Sequence, residues 1–289
     1  VEIEQTLKET LLRLKVMNNE ELKFEVSQSE TRLISSLLKH IGTTDPELRD
    51  QLIYSMFIRL IAENMLNPLT LQSILETCLD NNHLFYRVGE IASDSVFTRS
   101  FSSLVIAAIL ENDKNKRYLS KSTLNGVFEK IQDYLNSEQD TRGYVEGKGW
   151  AHSIAHGADM LTSVVRHPIF TIEESKVALN SVEKCLFKKG IYTDDEDERL
   201  IFVIDALLDK KLAETDLKIW ILHIFGKLEI IFQNEEYSLL FFQRKTNITN
   251  FMKTLYFRLG FKNSGSHVRG CIEDNLKIWH DKVYTSATD

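Results

Sequence analysis

Proline and glycine are scarce in this chain of 289 residues: 3 Pro and 12 Gly, about one residue in twenty, against roughly 12% in an average protein. Collagen-like, low-complexity and turn-dense all-β architectures all need frequent backbone punctuation, so this shortage excludes them. Cysteine is also rare. Cys78, Cys185 and Cys271 are far apart, with no C-x-x-C pair, which excludes a zinc ribbon or a thiol redox motif. Each lies in an apolar stretch and reads as a small core residue. No run reaches the roughly 18 apolar residues of a membrane span, so no membrane insertion is expected. A basic excess is missing too: the net charge is −7, which argues against a dedicated nucleic-acid binder. The first sixteen residues alternate charge with leucine and lack the apolar core of a signal peptide, so the expected location is a reducing cytoplasm.

What is present is helical periodicity. Leu33, Leu37 and Leu38 share one face of a helix at 30–40. Asp45-Pro46 and Asn67-Pro68 each combine an N-cap side chain with a proline at the first helical position, opening helices at 45–64 and 69–81. Further helices are expected at about 94–112, 117–136, 149–166, 171–188, 195–210, 214–232, 236–258 and 266–280, and no strand. All three prolines read as helix starts. Taken as antiparallel pairs, starts near 45, 94, 149, 195 and 236 recur at a spacing close to the roughly 40–47 residues of HEAT arrays. The expected fold class is therefore all-α, a HEAT-like α/α solenoid, with residues 1–289 as a single α-helical domain.

One segment stands apart. Gly143, Gly147 and Gly149 precede GWAHSIAHGADML, residues 149–161. On a helical wheel, His152, His156, Asp159, Ser163 and Arg166 fall in a stripe about 80° wide, with Trp150, Ile154, Leu161, Val164 and Val165 opposite. Ala151, Ala155, Gly157 and Ala158 keep the helix slim enough for a close neighbour. Three readings fit the stripe. Two histidines one turn apart plus a carboxylate can aim at a divalent metal, with His152, His156 and Asp159 as ligands. Free N–H groups at the helix start, with Arg142, Lys148 and His152 around them, can hold an anion. The third reading is structural: the histidines satisfy neighbouring backbone, and Asp140 and Arg142 brace the glycine turn.

The segment DTRGYVEGKGWAHSIAHGADML, residues 140–161, resembles the hallmark string of a bacterial family of unknown function, domain of unknown function 2785. DSVFTRSFSSLVIAAIL (94–110), DERLIFVIDALL (197–208) and NITNFMKTLYFRL (247–259) are similar to other parts of the same pattern, so the resemblance covers most of residues 80–260. It implies an all-helical bacterial cytoplasmic protein and no particular activity. The residues it points to are Arg99, Arg142, Gly149, Trp150, His152, His156, Gly157 and Asp159.

Other features have plainer readings. The acidic run 194–198 lacks the spacing of a calcium loop and sits where a helix begins, where the helix dipole favours it. Residues 237–272 hold six basic and no acidic side chains among many aromatics; the aromatics read as core, with the charges solvated or docked on an acidic partner within the chain. Arg99 lies just inside a helix start, where a cation is disfavoured, so Glu90, Asp94 or a carboxylate from another layer must compensate it. Two functions follow. The first is a binding or interaction module for a protein, peptide or small anionic ligand, with a groove lined by His152, His156 and Asp159 beside Arg142, Lys148, Trp150 and Arg99. The second is a metal-assisted hydrolase, with the same three ligands and Glu146 as general base.

Overall fold

The computed structural model of the chain describes residues 2–285. It is all-α: 74% of it is helical, in twelve α-helices with almost no sheet. Contacts divide it into two compact units, Val1–Phe170 and Thr171–Asp289.

The first unit contains α1 (Glu2–Lys15), α2 (Asn19–Lys39), a π-helical stretch Glu47–Tyr54 that runs into α3 (Ser55–Ala62), α4 (Pro68–Cys78), α5 (Ser95–Lys116), α6 (Lys121–Ser137), β1 (Tyr144–Val145), β2 (Gly149–Trp150) and α7 (Ser153–Arg166). The start signals act as their chemistry requires. Asp45 Oδ1 accepts the amides of Glu47 at 2.9 Å and Leu48 at 3.1 Å, and Asn67 Oδ1 accepts that of Thr70 at 3.0 Å. Each satisfies N–H groups that the first turn leaves without helical partners. α5 forms the centre of this unit, packing on α3, α4 and α7. Val96, Phe97, Val105, Ile106, Ile109 and Leu110 on it are wholly buried, so apolar side chains surround the helix rather than striping it. Gly157 lets α7 approach α6 closely: a Cβ there would lie 2.7 Å from Leu135 Cδ2.

The second unit begins with a single 3₁₀ turn, Ile172–Glu174. It continues through α8 (Ser175–Leu186), α9 (Glu196–Asp209), α10 (Glu214–Glu235), α11 (Leu239–Phe261) and α12 (Ser266–His280) to a π-helical turn, Asp281–Thr285. Its core takes Phe241, Phe251, Leu255, Ile221 and Leu228 from α10 and α11. The acidic run supplies Glu196, Asp197 and Glu198 to the first turn of α9. The basic stretch docks internally, with Lys262 Nζ 2.7 Å from the buried Asp205 carboxylate of α9 and Arg258 on its other oxygen. Not all of its aromatics are core: Tyr237, Phe257 and Phe261 are exposed. All three cysteines are buried free thiols.

Several expectations need correction. A helix precedes residue 30 that periodicity did not reveal: α2 starts at Asn19, capped by Asn18 and Glu21 in a reciprocal capping box. Pro168 does not open a helix but follows the end of α7 in a turn, ahead of the 3₁₀ turn at Ile172. The helix expected from residue 149 begins only at Ser153, because the glycines before it form a hairpin of two short strands where none was expected.

Candidate functional site

In the hairpin, Tyr144 pairs with Trp150 and Val145 with Gly149, antiparallel. Gly147 (φ 71°) and Gly149 (φ 78°) supply the left-handed backbone that the reversal needs. Beyond the strands the pairing continues, with the amides of Ala151 and His152 bonding the carbonyls of Gly143 and Arg142 at 2.8 and 3.1 Å. His152 is thus the last hairpin residue and caps α7 with left-handed backbone (φ 48°, ψ 36°), its carbonyl accepting the His156 amide.

This geometry stacks rings from the surface inwards. Tyr144 and Trp150, about half exposed, meet edge to face with centroids 5.0 Å apart. Trp150 stacks on His152 at 4.4 Å, His152 meets His156 at 5.6 Å, and His156 meets Phe101 of α5 at 5.5 Å. His156 is buried, with Nδ1 2.7 Å from Ser100 Oγ. That hydroxyl donates to the Ala151 carbonyl. Its single proton is then committed, so His156 Nδ1 carries the hydrogen it donates to Ser100.

Buried charges anchor the hairpin from three sides. Arg99 and Glu138, both fully buried, form a two-pronged pair at 2.6 and 2.9 Å. Arg99 also donates to the Tyr86 carbonyl at 3.0 Å and to Ser95 Oγ at 2.9 Å, while Glu138 accepts the amides of Gln139 and Asp140. Burial pulls the Arg99 pKa down, but the Glu138 hydrogen bonds and charge outweigh it, leaving the guanidinium above its ordinary value. Next along the chain, the buried Asp140 carboxylate accepts the Ala92 amide and holds Arg142 Nε and Nη2 at 2.8 and 2.6 Å. Arg142 reaches on to the Ser93 carbonyl at 2.8 Å. On the third side is Arg49, fully buried, its guanidinium 4.2 Å from the Phe97 ring centroid and 4.7 Å from that of Phe101. It donates to the carbonyls of Thr43 and Lys148, each at 2.8 Å, and pairs with Asp50. Burial raises the Asp50 pKa against the pull of Arg49. Gly149 is pressed onto this group, for a Cβ there would stand 2.9 Å from Pro46 Cβ and 3.1 Å from Arg49 Nη2.

Of the residues singled out from sequence, Trp150, His152 and His156 come together. Arg142 and Asp140 brace the turn as the structural reading required. Lys148 reaches away to the exposed Asp94, 2.7 Å from both oxygens. Arg99 lies wholly inside, and Glu146 is exposed beside Gly147 on the hairpin turn. Asp159 is half-buried on α7, and among the described residues no group of three or more His, Cys, Asp or Glu side chains is placed to hold a metal ion. Two large cavities of this unit, about 640 and 620 Å³, flank α2, and no residue of the His152–Arg166 stripe lines either. Sequence reasoning missed Arg49, Glu138, Ser100 and Tyr144. Only Glu138 had a signal, the need of Arg99 for a carboxylate.

No curated protein and no solved structure matches the chain. A family model described as a protein of unknown function (DUF2785) matches residues 84–257, more than half of the sequence. The matched region holds the hairpin, both histidines, the Arg99–Glu138 pair and the Asp140–Arg142 pair, and it leaves out α1 to α4 with Arg49. The chain belongs to this DUF2785 family.

Proposed function

We propose that the protein is a cytoplasmic binding module built from HEAT-like antiparallel helix pairs, and that it recognises a protein or peptide through the face of the β1–β2 hairpin. The observation that carries this reading is the exposed Tyr144–Trp150 pair on a turn anchored by Arg99–Glu138, Asp140–Arg142 and Arg49. Exposed tryptophan and tyrosine are the side chains that most often dominate binding energy, because they bury a large area with few rotors to freeze. A rigid mount adds to this by removing the ordering cost at the moment of contact. His152, stacked beneath Trp150, sets the orientation of the indole, and Arg142, about one-third exposed, adds a donor at the rim. The metal-assisted hydrolase has less support, since His156 is buried with Nδ1 engaged by Ser100 and Glu146 sits on the hairpin turn.

The test is site-specific photo-crosslinking in the cell of origin, with the photoreactive residue at Tyr144 and, as control, at the exposed Phe24 of α2. A discrete adduct from position 144, lost in Trp150→Ala with unchanged circular dichroism, is the expected result. Adducts no stronger than those from position 24 overturn the reading.

A further inference from the structure

We propose that the cleft between α1 and α2 binds a small organic carboxylate with an apolar chain, independently of the hairpin. Only three residues separate the two helices, α1 packs on the π-helical stretch, and a cavity of about 640 Å³ lies between α1 and α2. That lies within the roughly 300–1,000 Å³ range of small-molecule sites. Its floor is apolar, formed by Leu7 and Leu14 of α1 with Val26 and Leu33 of α2.

The walls are hydroxylic and cationic. Thr10, Ser29 and Ser36 line the sides, and α2 is kinked where Ser29 does so (φ −146°, ψ 23°). Serine back-bonding accounts for the kink: Ser27 Oγ donates to the Phe24 carbonyl at 2.6 Å and Ser29 Oγ to that of Glu25 at 3.4 Å, competing with the helical ladder. Three charges face the cleft. Arg13 lies 3.6 Å from Glu25, so those two offset each other. Arg32 has no ion-pair partner among the described residues. The cleft therefore carries one net positive charge in a chain of net charge −7. A guanidinium above an apolar floor matches a carboxylate head, bound through two parallel N–H···O contacts, with its chain lying along the leucines.

Isothermal titration with hexanoate, decanoate below its micelle concentration, and decyltrimethylammonium tests this. Saturable one-to-one decanoate binding is expected, tighter than that of hexanoate and at least tenfold tighter than that of the cation. Arg32→Glu, at an exposed position, weakens it tenfold or more, and Thr10→Trp, which fills the cleft, abolishes it; both retain wild-type circular dichroism. Three results each overturn the proposal: no saturable decanoate binding, equal affinity for the cation, or binding unchanged when the cleft is filled. If Thr10→Trp disturbs the fold, the Arg32→Glu titration and the chain-length comparison still decide.

Discussion

Replacing Arg99 by Met removes one partner of a fully buried charge pair while nearly keeping its volume. Glu138 then loses the guanidinium that bonds both of its carboxylate oxygens, and the carbonyls of Tyr86 and Arg87 lose a donor. Breaking a buried pair from one side costs about 3–5 kcal/mol, because the remaining charge has lost both water and partner. In a unit of this size each kcal/mol lowers the melting temperature by roughly 2–4 °C, so a fall of about 6–20 °C is expected. The double variant Arg99→Met/Glu138→Gln should recover part of that loss. Its amide oxygen still accepts the Gln139 and Asp140 amides, and the buried carboxylate is gone. The cycle of wild type, two single variants and the double should show a coupling of about 2–3 kcal/mol. Urea titrations followed by far-UV circular dichroism give the energies. Hydrogen exchange on peptides spanning 138–153 gives a local reading that needs no two-state assumption, and Arg99→Met should lose protection there first. An Arg99→Met protein within about 1 kcal/mol of wild type, or a double variant as unstable as the sum of the singles, refutes the view that this pair holds the hairpin.

Three further substitutions, at Gly157, Gly226 and Glu196, separate close packing from open space and burial from charge. Gly157→Ala forces a methyl to within 2.7 Å of Leu135, whereas nothing lies within 4 Å of the Cβ position at Gly226. The first should destabilise by about 1–2 kcal/mol despite better helix propensity, and the second should stabilise by about 0.5–1 kcal/mol, both read from thermal melts. Burial raises the pKa of Glu196, in the first turn of α9, above its ordinary value. A raised carboxyl stabilises the fold below its unfolded pKa and loses that contribution as pH climbs through the folded value. Glu196→Gln should therefore melt with wild type near pH 4 and above it at pH 7 to 8; a gap that widens towards acid contradicts the burial argument.

The helices were legible because their signals are local. Asp45-Pro46 and Asn67-Pro68 each place a cap and a pre-set φ at one point of the chain, and the structure uses both where the sequence put them. Pro168 carries the same residue without a capping side chain before it, and there it stops a helix. The hairpin escaped for a different reason. Strands of two residues are too short to show alternation, while Trp150, Ile154 and Leu161 extend the helical period of α7 backwards over them. The glycines did mark the right place, since two of the three adopt positive φ, but a positive-φ glycine serves a loop ahead of a helix as well as it serves a hairpin. Arg49 is the extreme case. Its partner carbonyl at Lys148 lies 99 residues away, and a lone arginine in an amphipathic stretch reads as solvent-facing until the Phe97 and Phe101 rings are seen packed against it.

The stripe itself shows where wheel reasoning stops. Lining a groove with the polar side of α7 assumes a helix with one buried face. α7 is buried almost all round: Ile154, Leu161 and Val165 lie against the core on one side, while His156 is buried on the other beside Ser100 and Phe101 of α5. Between two packed layers a polar stripe becomes an internal seam, and the chemistry it presents outwards is set by the residue at the helix end where the packing opens. Here that residue is His152, held in left-handed backbone at the junction with the hairpin and stacked under Trp150. The histidine pair therefore works as a column linking the exposed aromatics to the core. Its expected signature is that disturbing Ser100 or His156 alters the environment of Trp150 without any direct contact between them.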